Sequence, residues 1–509
     1  MGSLAGSIKQ SLYRLLLLIN RIIAVISSHD KQLHNARFAR LHELENLHSN
    51  QLDGTNLLLG VSQFNNILRV GPTHTRRELG NLLIVAPTRG GKGLLATSQL
   101  LSWKKSVVVN DIKGELFQQT AGYRKTLGKV LVIDPTGIGD RYDPLMGKQS
   151  EDELFSSATH LLHKHDEGEG AIFTQRATVM LTQLFLAARA EGYPPLPYVR
   201  QIVRSGLVAA AERLNSISPE LATQFLDVEI PQANFDDRFL LSAWGTLSAR
   251  MRPLLTETLV RCFTRADFAP GELMKSPEPI TVYLRWPERD LLALSPLVRL
   301  LWGSIIDELI TTFDKTAGAN CHEVLLLIDE AGRTAIPSLS DYATTVVGRG
   351  VSLWIAIQSL AQLDAVYGKA RARILRDNME TQIYYRPSNQ ETADYLQHCL
   401  GKKSDYAHSQ TMREGLEDSL GFSEQGVPLM TAQEIKQLRD DQIIGFHRRL
   451  PAFQAKRMDW RDFPQLAKRR NIPPPTISPL PQIDESIAAN LWQRKGELLD
   501  GYIDPDMIN

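Results

Sequence analysis

Short runs of branched apolar residues recur along this chain, and each is followed by polar residues and then by a helical pattern. Uniformly apolar strands are typical of a parallel sheet that is covered on both faces. Alternation of such strands with helices indicates parallel pairing. The pattern therefore predicts an α/β fold with a mostly parallel sheet, whose strands are Leu82–Val85, 105–110, 128–133, 280–284, Val324–Ile328, 353–357 and 382–385.

The pattern changes between residues 151 and 267, where leucine- and alanine-rich helical periodicity replaces the strand signals. Helices are predicted there over 176–190, 196–211 and 240–255. The interruption predicts an all-α domain of residues 151–267, inserted between two parts of one sheet domain. Those two parts are residues 66–150 and 268–463.

The flanking segments have weaker patterns. Residues 34–65 read as a linker with a helix over 34–47, and a small β meander is predicted over 54–70. At the other end, residues 464–509 form a proline-rich tail. Its segment 471–482 is predicted to be extended, and an unstructured tail is the common case for such a composition.

The N-terminal residues 1–33 contain an ambiguous membrane signal. Residues 12–26 are apolar except for Arg14, Asn20 and Arg21. An arginine at the centre of a spanning helix costs roughly 2.5–3.5 kcal/mol on insertion scales, which disfavours a span. The segment predicts either an interfacial helix, acting as a reduced membrane anchor, or a helix that packs on protein.

Composition adds two constraints. The 509 residues include 57 basic and 57 acidic side chains, so any contact with a polyanion has to be local. Three widely spaced cysteines suit a reducing cytosol and form no metal-binding pattern. The basic clusters 447–449 and 468–470 are interpreted as solvated surface, and no stacking motif for nucleic acid stands out. A DNA motor stays possible, because a ring needs only a few basic residues per subunit.

The strongest chemical signal follows the first buried strand. A glycine-rich loop and a lysine precede a helix, which is the order that a phosphate cradle requires. Two positions depart from the usual phosphate-loop pattern: Ala86 replaces the first glycine, and Gly93 replaces the hydroxyl that binds Mg²⁺. The predicted nucleotide-binding residues are Ala86, Pro87, Thr88, Arg89, Gly90, Gly91, Lys92 and Gly93.

A pair of carboxylates ends a later strand and supplies what the loop lacks. Asp329 is predicted to hold Mg²⁺ through water, and Glu330 to polarise the water that attacks the γ-phosphate. Gln358, at the end of the next strand, is a candidate γ-phosphate sensor. Together with Lys92, these residues predict an NTPase.

Arg349 lies between two glycines and is a candidate finger for the nucleotide of a neighbouring subunit. A surface arginine is an equal interpretation of this residue. Arg373, Arg376 and Arg386 are alternative candidates for the same role.

Several motifs, taken in order, resemble the coupling proteins of type IV secretion, the TraG/TraD group of conjugation ATPases. The resemblance covers residues 35–460 and is carried by NARFARLHEL, APTRGGKG, VVVNDIKGELFQQTAGYR, VLVIDPTG, RYDPL, LLLIDEAG, GRGVSLWIAIQSLAQLDAVYG, ILRDNMETQIYYRPSNQETADYL and VPLMTAQEIKQL. It implies a RecA-like P-loop ATPase that uses ATP and Mg²⁺, with an inserted all-α domain that reads substrate. In this chain Lys92, Asp329, Glu330 and Gln358 match the family's nucleotide loop, carboxylate pair and sensor glutamine.

The resemblance also implies a function and its partners. The expected protein is a homo-hexamer, assembled alone or with ATP or DNA, on the cytoplasmic face of the bacterial inner membrane. It would recruit a relaxase–DNA complex or a protein substrate and drive single- or double-stranded DNA into a secretion channel. The family usually begins with two transmembrane helices, whereas this chain has at most one poor candidate. Two alternatives stay open: a DNA translocase of the chromosome-segregation type, and a nucleotide-gated docking adaptor with little turnover.

Overall fold

The computed structural model describes residues 34–49, 51–72, 78–148, 150–162, 169–334, 336, 338–411 and 419–482. These residues form a thirteen-stranded sheet and a separate two-stranded hairpin. The strands are β1 (His48–Ser49), β2 (Leu57–Val61), β3 (Ile67–Val70), β4 (Leu82–Val85), β5 (Val107–Asp111), β6 (Val130–Asp134), β7 (Ile138–Gly139), β8 (Thr281–Arg285), β9 (Val324–Ile328), β10 (Val351–Ile357), β11 (Thr381–Tyr385), β12 (Lys402–Thr411), β13 (Ser419–Pro428), β14 (Gln442–His447) and β15 (Phe453–Lys456).

Helices connect most of the strands, and short 3₁₀ segments occur at several of the joints. The α-helices are α1 (Lys92–Ser102), α2 (Glu115–Leu127), α3 (Glu151–Leu162), α4 (Glu169–Ala190), α5 (Pro195–Ser205), α6 (Leu207–Ile217), α7 (Pro219–Leu226), α8 (Arg238–Met251), α9 (Glu257–Arg261), α10 (Glu272–Lys275), α11 (Leu291–Thr316), α12 (Leu339–Thr345), α13 (Leu360–Tyr367), α14 (Lys369–Asp377), α15 (Gln390–Leu400), α16 (Ala432–Lys436) and α17 (Pro464–Arg470).

The large sheet has the order β1-β3-β2-β15-β14-β11-β4-β10-β9-β5-β8-β6-β7. Its seven central strands, from β11 to β6, pair in parallel. Antiparallel strands extend the sheet at both ends. The predicted α/β fold with a mostly parallel sheet is therefore confirmed.

The sheet buries both of its faces, which explains why its central strands are apolar throughout. In β4, Leu83 and Val85 belong to the core on one face, and Leu82 and Ile84 to the core on the other. Helices α1 and α2 cover the second face. The buried residues of helices α3 to α9 are continuous with the core on the first face.

The described residues between β7 and β8 contain helices and no strand, as the pattern predicted. The single helix predicted over 196–211 is wrong, however. Gly206 has φ 93° and separates α5 from α6. Glycine adopts this left-handed conformation without the steric strain that a Cβ causes, so the chain turns there. The division of the chain into an inserted domain and a sheet domain stays a prediction.

The helix predicted over 34–47 is also wrong. Only Leu41–Leu47 is helical, as a 3₁₀ segment. Residues 34–36 are extended beside β12: the amide of Ala36 donates to the Lys402 carbonyl at 3.0 Å, and Asn35 forms a bridge with Lys403. Pairing with a strand distant in sequence overrides local helical propensity here.

The proline-rich segment is extended, but it is ordered against the sheet. The amide of Gly139 donates to Ser478 at 2.8 Å, and the amide of Leu480 donates to Gly137 at 2.8 Å. Leu480 is buried. We call residues 472–480 the strap. The expectation of an unstructured tail is wrong for the strap, and residues 483–509 lie outside the described part of the chain.

The basic clusters are not simply solvated surface. His447 is buried in β14, and its Nδ1 lies 2.8 Å from the hydroxyl of Thr381. Arg469 of α17 donates to the Leu101 carbonyl at 2.7 Å and covers the ring of Tyr123 at 4.6 Å. These contacts hold α17 against α1 and α2. The surface interpretation is therefore wrong for His447 and Arg469, whereas Arg448, Arg449 and Lys468 are exposed as it predicts.

The predicted N-terminal helix at 12–26 falls outside the described residues. Within the part of the chain that the structure describes, no helix is both long enough and apolar enough to cross a membrane.

Candidate nucleotide-binding site

Three neighbouring strands bring the predicted site residues together. Strands β4, β10 and β9 are adjacent and parallel, so their carboxyl ends lie on one edge of the sheet. The glycine-rich loop follows β4, Gln358 follows β10, and the pair Asp329 and Glu330 follows β9. Ligands of open α/β sheets bind at this edge.

The loop between β4 and α1 has an anion-binding conformation. The amide of Ala86 donates to the Ile357 carbonyl at 3.0 Å, and the amide of Gly90 donates to Pro87 at 2.8 Å. Arg89 and Gly91 have φ of 63° and 110°. A Cβ at Gly90 would lie 2.9 Å from the Pro87 carbonyl oxygen, so the turn requires glycine.

Several backbone donors in this loop have no acceptor within the part of the chain that the structure describes. Among the described residues, no hydrogen bond uses the backbone amides of Gly91, Lys92 or Gly93. They form the N-terminus of α1, where unpaired amides and the helix dipole favour an anion. A Cβ at Gly93 would meet nothing within 4 Å, so this position leaves open space where a hydroxyl is usual. The loop fits the phosphates of a nucleotide.

Five side chains form a continuous polar chain across the site. The Nζ of Lys92 contacts Oε1 of Glu330 and lies 3.7 Å from Oδ1 of Asp329. Gln358 donates from Nε2 to Oε2 of Glu330 at 2.9 Å. The hydroxyl of Thr88 donates to Oε1 of Gln358 at 3.2 Å. The structure thus brings together Thr88, Lys92, Asp329, Glu330 and Gln358.

The turn after β9 places Glu330 in an unusual conformation. Its φ is 60°, a left-handed value that non-glycine residues seldom adopt. Asn110, at the end of β5, donates from Nδ2 to the Asp329 carbonyl at 2.9 Å and to the Thr334 hydroxyl at 3.1 Å. Sequence reasoning missed Asn110 as a support for this turn. The feature of the sequence that could have indicated this role is a polar residue inside an otherwise apolar strand.

The two carboxylates differ in acidity for identifiable reasons. Burial raises the pKa of Asp329, and the charge of Lys92 offsets this only in part. Burial also acts to raise the pKa of Glu330, but the hydrogen bond and charge of Lys92, with the hydrogen bond from Gln358, hold that pKa below its usual value. Oδ1 of Asp329 is buried without a hydrogen-bond donor among the described residues. A carboxylate oxygen in this state suits a hard cation such as Mg²⁺.

Comparison with known proteins identifies the family. A family model for conjugative DNA transfer by the type IV secretory system matches residues 37–476. This chain belongs to that family. The match confirms the resemblance that the ordered motifs indicated.

Relatives of known name agree with this assignment. The chain is 25% identical to protein VirD4 of Rhizobium radiobacter over 489 residues, which cover 91% of this chain and 69% of the relative. It is 28% identical to the conjugal transfer protein TraG of Escherichia coli over 366 residues, which cover 65% of this chain and 55% of the relative. The chain therefore spans between about half and two thirds of these proteins.

Solved structures show the same fold. The conjugative coupling protein TrwB, in a form with sulphate, matches with a TM-score of 0.63 at 15% identity, over 84% of this chain and 94% of that one. TrwB with a non-hydrolysable ATP analogue matches with a TM-score of 0.61 at 16% identity, over 84% and 94% of the two chains. The predicted RecA-like P-loop fold is confirmed by these similarities.

Two other acidic residues on the same edge have structural partners. Asp111 accepts hydrogen bonds from the amides of Leu116 and Phe117, at 3.3 and 2.7 Å, and so caps α2. Burial raises the pKa of Asp111 to about 6. Asp134 lies 3.4 Å from Nη1 of Arg285. These residues stabilise the edge beyond β9 and do not contact the loop.

Arg349, the first candidate finger, lies away from this chain's own loop. Arg349 precedes β10 and holds Asp314 through Nε and Nη2, at 2.8 and 3.1 Å. The seven residues of β10 separate it from Gln358, a span of about 20 Å. A role towards a neighbouring subunit stays a prediction. The alternative candidates also have partners: Arg373 pairs with Asp377, Arg376 covers the ring of Tyr395, and Arg386 pairs with Asp440.

Proposed function

We propose that this chain is the ATP-hydrolysing coupling protein of a conjugative or type IV secretion system. The observation that carries the proposal is the site at the ends of β4, β10 and β9. There, unpaired amides of the loop face the same edge as Lys92, the two carboxylates and Gln358. The reaction is in-line attack of water on the γ-phosphate of ATP.

Phosphate binding rearranges Lys92 in this scheme. Without nucleotide, Lys92 contacts Glu330 and lowers its pKa, which makes Glu330 a weak base. The β- and γ-phosphate oxygens attract Lys92 more strongly because they carry greater charge. Glu330 then becomes free to orient and polarise the attacking water. Binding of the correct substrate thus activates the base.

The other residues position the reactants. Asp329 would hold Mg²⁺ through water, and the ion neutralises phosphate charge when it is bound. Because Gly93 has no hydroxyl, water and phosphate oxygens would supply the remaining ligands of the ion. Gln358 bridges Glu330 and Thr88, so its hydrogen bonds would change when the γ-phosphate leaves. Gln358 is the proposed sensor.

Partners and assembly are part of the proposal. TrwB has been solved with an ATP analogue and with ADP and Mg²⁺, which supports ATP and Mg²⁺ as ligands of this fold. We propose a homo-hexamer in which Arg349 reaches the neighbouring nucleotide. It would act at the cytoplasmic face of the inner membrane on DNA, a relaxase and channel components. The helical segment 151–267 would recognise substrate.

The decisive experiment is the steady-state ATPase rate of the purified full chain, with and without single- and double-stranded DNA. Lys92→Ala should abolish nucleotide binding, and Glu330→Gln should retain binding but abolish turnover. Glu323→Gln is a matched control, because Glu323 precedes β9 at the opposite edge and pairs there with Lys105. It should hydrolyse ATP at the wild-type rate.

Each alternative has its own outcome. DNA-stimulated turnover that Lys92→Ala and Glu330→Gln abolish would support a motor. Tight ATP binding with negligible turnover under every DNA condition would refute the motor and leave a docking adaptor. A motor that binds neither relaxase nor channel ATPases would be a DNA translocase of another type.

A further inference from the structure

An arginine from the antiparallel end of the sheet lies against the phosphate loop. Arg457 follows β15, and its amide donates to the Asp441 carbonyl at 2.7 Å. Strands β15, β14, β11 and β4 are consecutive neighbours in the sheet. The antiparallel pairing of β14 with β11 and β15 brings Arg457 to the edge where β4 ends.

The contact with the loop is close. A Cβ built on Gly91 would lie 3.2 Å from both Cδ and Nη1 of Arg457, and 3.5 Å from the ring of Tyr385. Gly91 precedes Lys92 and caps α1 with φ 110°. The guanidinium therefore lies over the residue whose amide opens the proposed phosphate site.

Arg457 has few partners for its charge. Its Nη1 donates to the Asp440 carbonyl at 3.3 Å. Its charge also acts on Asp459, which is held mainly by Arg461, but no carboxylate of the described residues forms an ion pair with Arg457. Neighbouring arginines differ, because Arg386 pairs with Asp440, Arg439 with Asp441 and Arg461 with Asp459. A guanidinium has five N–H donors, so most of those on Arg457 are available.

The buried hydroxyl beside it is also unsatisfied. Tyr385 is only 2% exposed, and its Oη has no hydrogen-bond partner among the described residues. An unpaired buried hydroxyl is costly, and a water or ligand oxygen commonly satisfies it. Two independent groups with unused hydrogen-bonding capacity thus flank Gly91.

We propose that Arg457 is a phosphate-binding residue, which supplies a positive charge from within the same subunit to the α- and β-phosphates of the bound nucleotide. The proposal rests on the proposed nucleotide site and adds a second cation to Lys92. Arginine suits this role because its charge is permanent and its planar group donates to two phosphate oxygens at once. ADP and ATP both carry these phosphates, so Arg457 contributes to the binding of both.

The test compares nucleotide affinities of full-length Arg457→Ala and Arg457→Lys with the wild type. Binding of a fluorescent ADP with Mg²⁺ is titrated, and unlabelled ATP and inorganic pyrophosphate then compete. Competition with ATP is measured in a Glu330→Gln background to prevent turnover. Arg439→Ala is the matched control, since Arg439 lies at the same edge but is exposed and paired. Thermal unfolding without nucleotide confirms that each variant is folded.

We expect Arg457→Ala to lower the affinity for ADP, ATP and pyrophosphate by about tenfold to a hundredfold, which is the loss typical of removing a hydrogen bond to a charged group. Arg457→Lys should lose less affinity than Arg457→Ala, and the differences in affinity between each variant and the wild type should become smaller at high salt. Arg439→Ala should bind as the wild type does.

Three results would overturn the inference. Wild-type affinity of Arg457→Ala and Arg457→Lys would leave Arg457 with a packing role only. Loss of ADP affinity with unchanged pyrophosphate affinity would assign Arg457 to the base or ribose. Failure of the wild type itself to bind nucleotide would refute the proposed function together with this inference.

Discussion

Two helical glycines should respond in opposite directions to the same substitution. Replacing glycine by alanine inside a helix usually stabilises a protein by about 0.5–1 kcal/mol, because alanine loses less backbone entropy on folding. Gly245 in α8 has open space around a built Cβ, so Gly245→Ala should follow this rule. Gly122 in α2 should not, because the strap crosses it.

The geometry at Gly122 leaves no room for a methyl group. A Cβ there would overlap the carbonyl oxygens of Ile472 and Pro473, which are backbone atoms and cannot rotate away. Two backbone hydrogen bonds hold the strap, at about 1 kcal/mol each, and burial of Leu480 adds about 2 kcal/mol. Ile472 and Ile477 of the strap also pack against the core, so full detachment would cost more than about 4 kcal/mol and local adjustment is the cheaper response. After the helical gain, Gly122→Ala should destabilise the protein by about 1–3 kcal/mol.

Hydrogen exchange reports this change locally, without requiring two-state unfolding of a long chain. The amides of Gly139 and Leu480 bond between the strap and the β6–β7 edge. In Gly122→Ala their protection should fall by about tenfold for each 1.4 kcal/mol lost. Gly245→Ala should leave it unchanged and raise the thermal midpoint. Unchanged protection in Gly122→Ala, with a raised midpoint, would refute the account of the strap.

Three further predictions concern the site and its surroundings. Burial raises the pKa of Asp111 to about 6, so its stabilising contribution is complete below about pH 4 and disappears as pH rises through 6. Asp111→Asn should remove this pH dependence, which is about 3 kcal/mol in total and about 1.4 kcal/mol between pH 5 and 7.5, the two values at which unfolding midpoints are measured. Asn110→Ala removes the hydrogen bond to the Asp329 carbonyl, so kcat should fall at least about tenfold while ADP affinity is retained. Equal losses in kcat and in ADP affinity would assign Asn110 to folding alone. Arg349→Ala should change the free energy of unfolding by less than about 1 kcal/mol, because its ion pair is exposed, yet it should lower the ATP turnover rate by about 10³-fold or more. If Arg349 acts between subunits, mixing Arg349→Ala subunits with Lys92→Ala subunits should restore activity.

The sequence predicted the central sheet well because its strands are short, apolar and separated by helices. Strands Leu82–Val85 and Val324–Ile328 were predicted with the bounds that the structure has, and the other central strands within a few residues. The antiparallel strands β14 and β15 were missed. β15 alternates buried and exposed side chains over only four residues, a signal too short to distinguish from a loop.

The sequence predicted which residues the structure brings together at the sheet edge, but not the residues that support them; their roles stay a prediction. Lys92, Asp329, Glu330 and Gln358 follow recognisable patterns at strand ends. Arg457 has no such pattern, because it reaches the loop through two antiparallel pairings and one parallel pairing whose register no local sequence specifies. The ordering of the strap likewise depends on Gly122, which lies some 350 residues earlier in the chain.

The charges of the proposed nucleotide site predict that nucleotide and metal would bind together. In the structure Lys92 is the cation that contacts both Glu330 and Asp329. If phosphates withdraw Lys92, two carboxylates are left beside several phosphate charges in a partly buried site, which is strongly unfavourable. A divalent cation at Asp329 removes this repulsion, and Arg457 would offset part of it from the other side. ATP should therefore bind much more weakly without Mg²⁺, and the pKa of Glu330 should rise towards that of a useful base once both are bound.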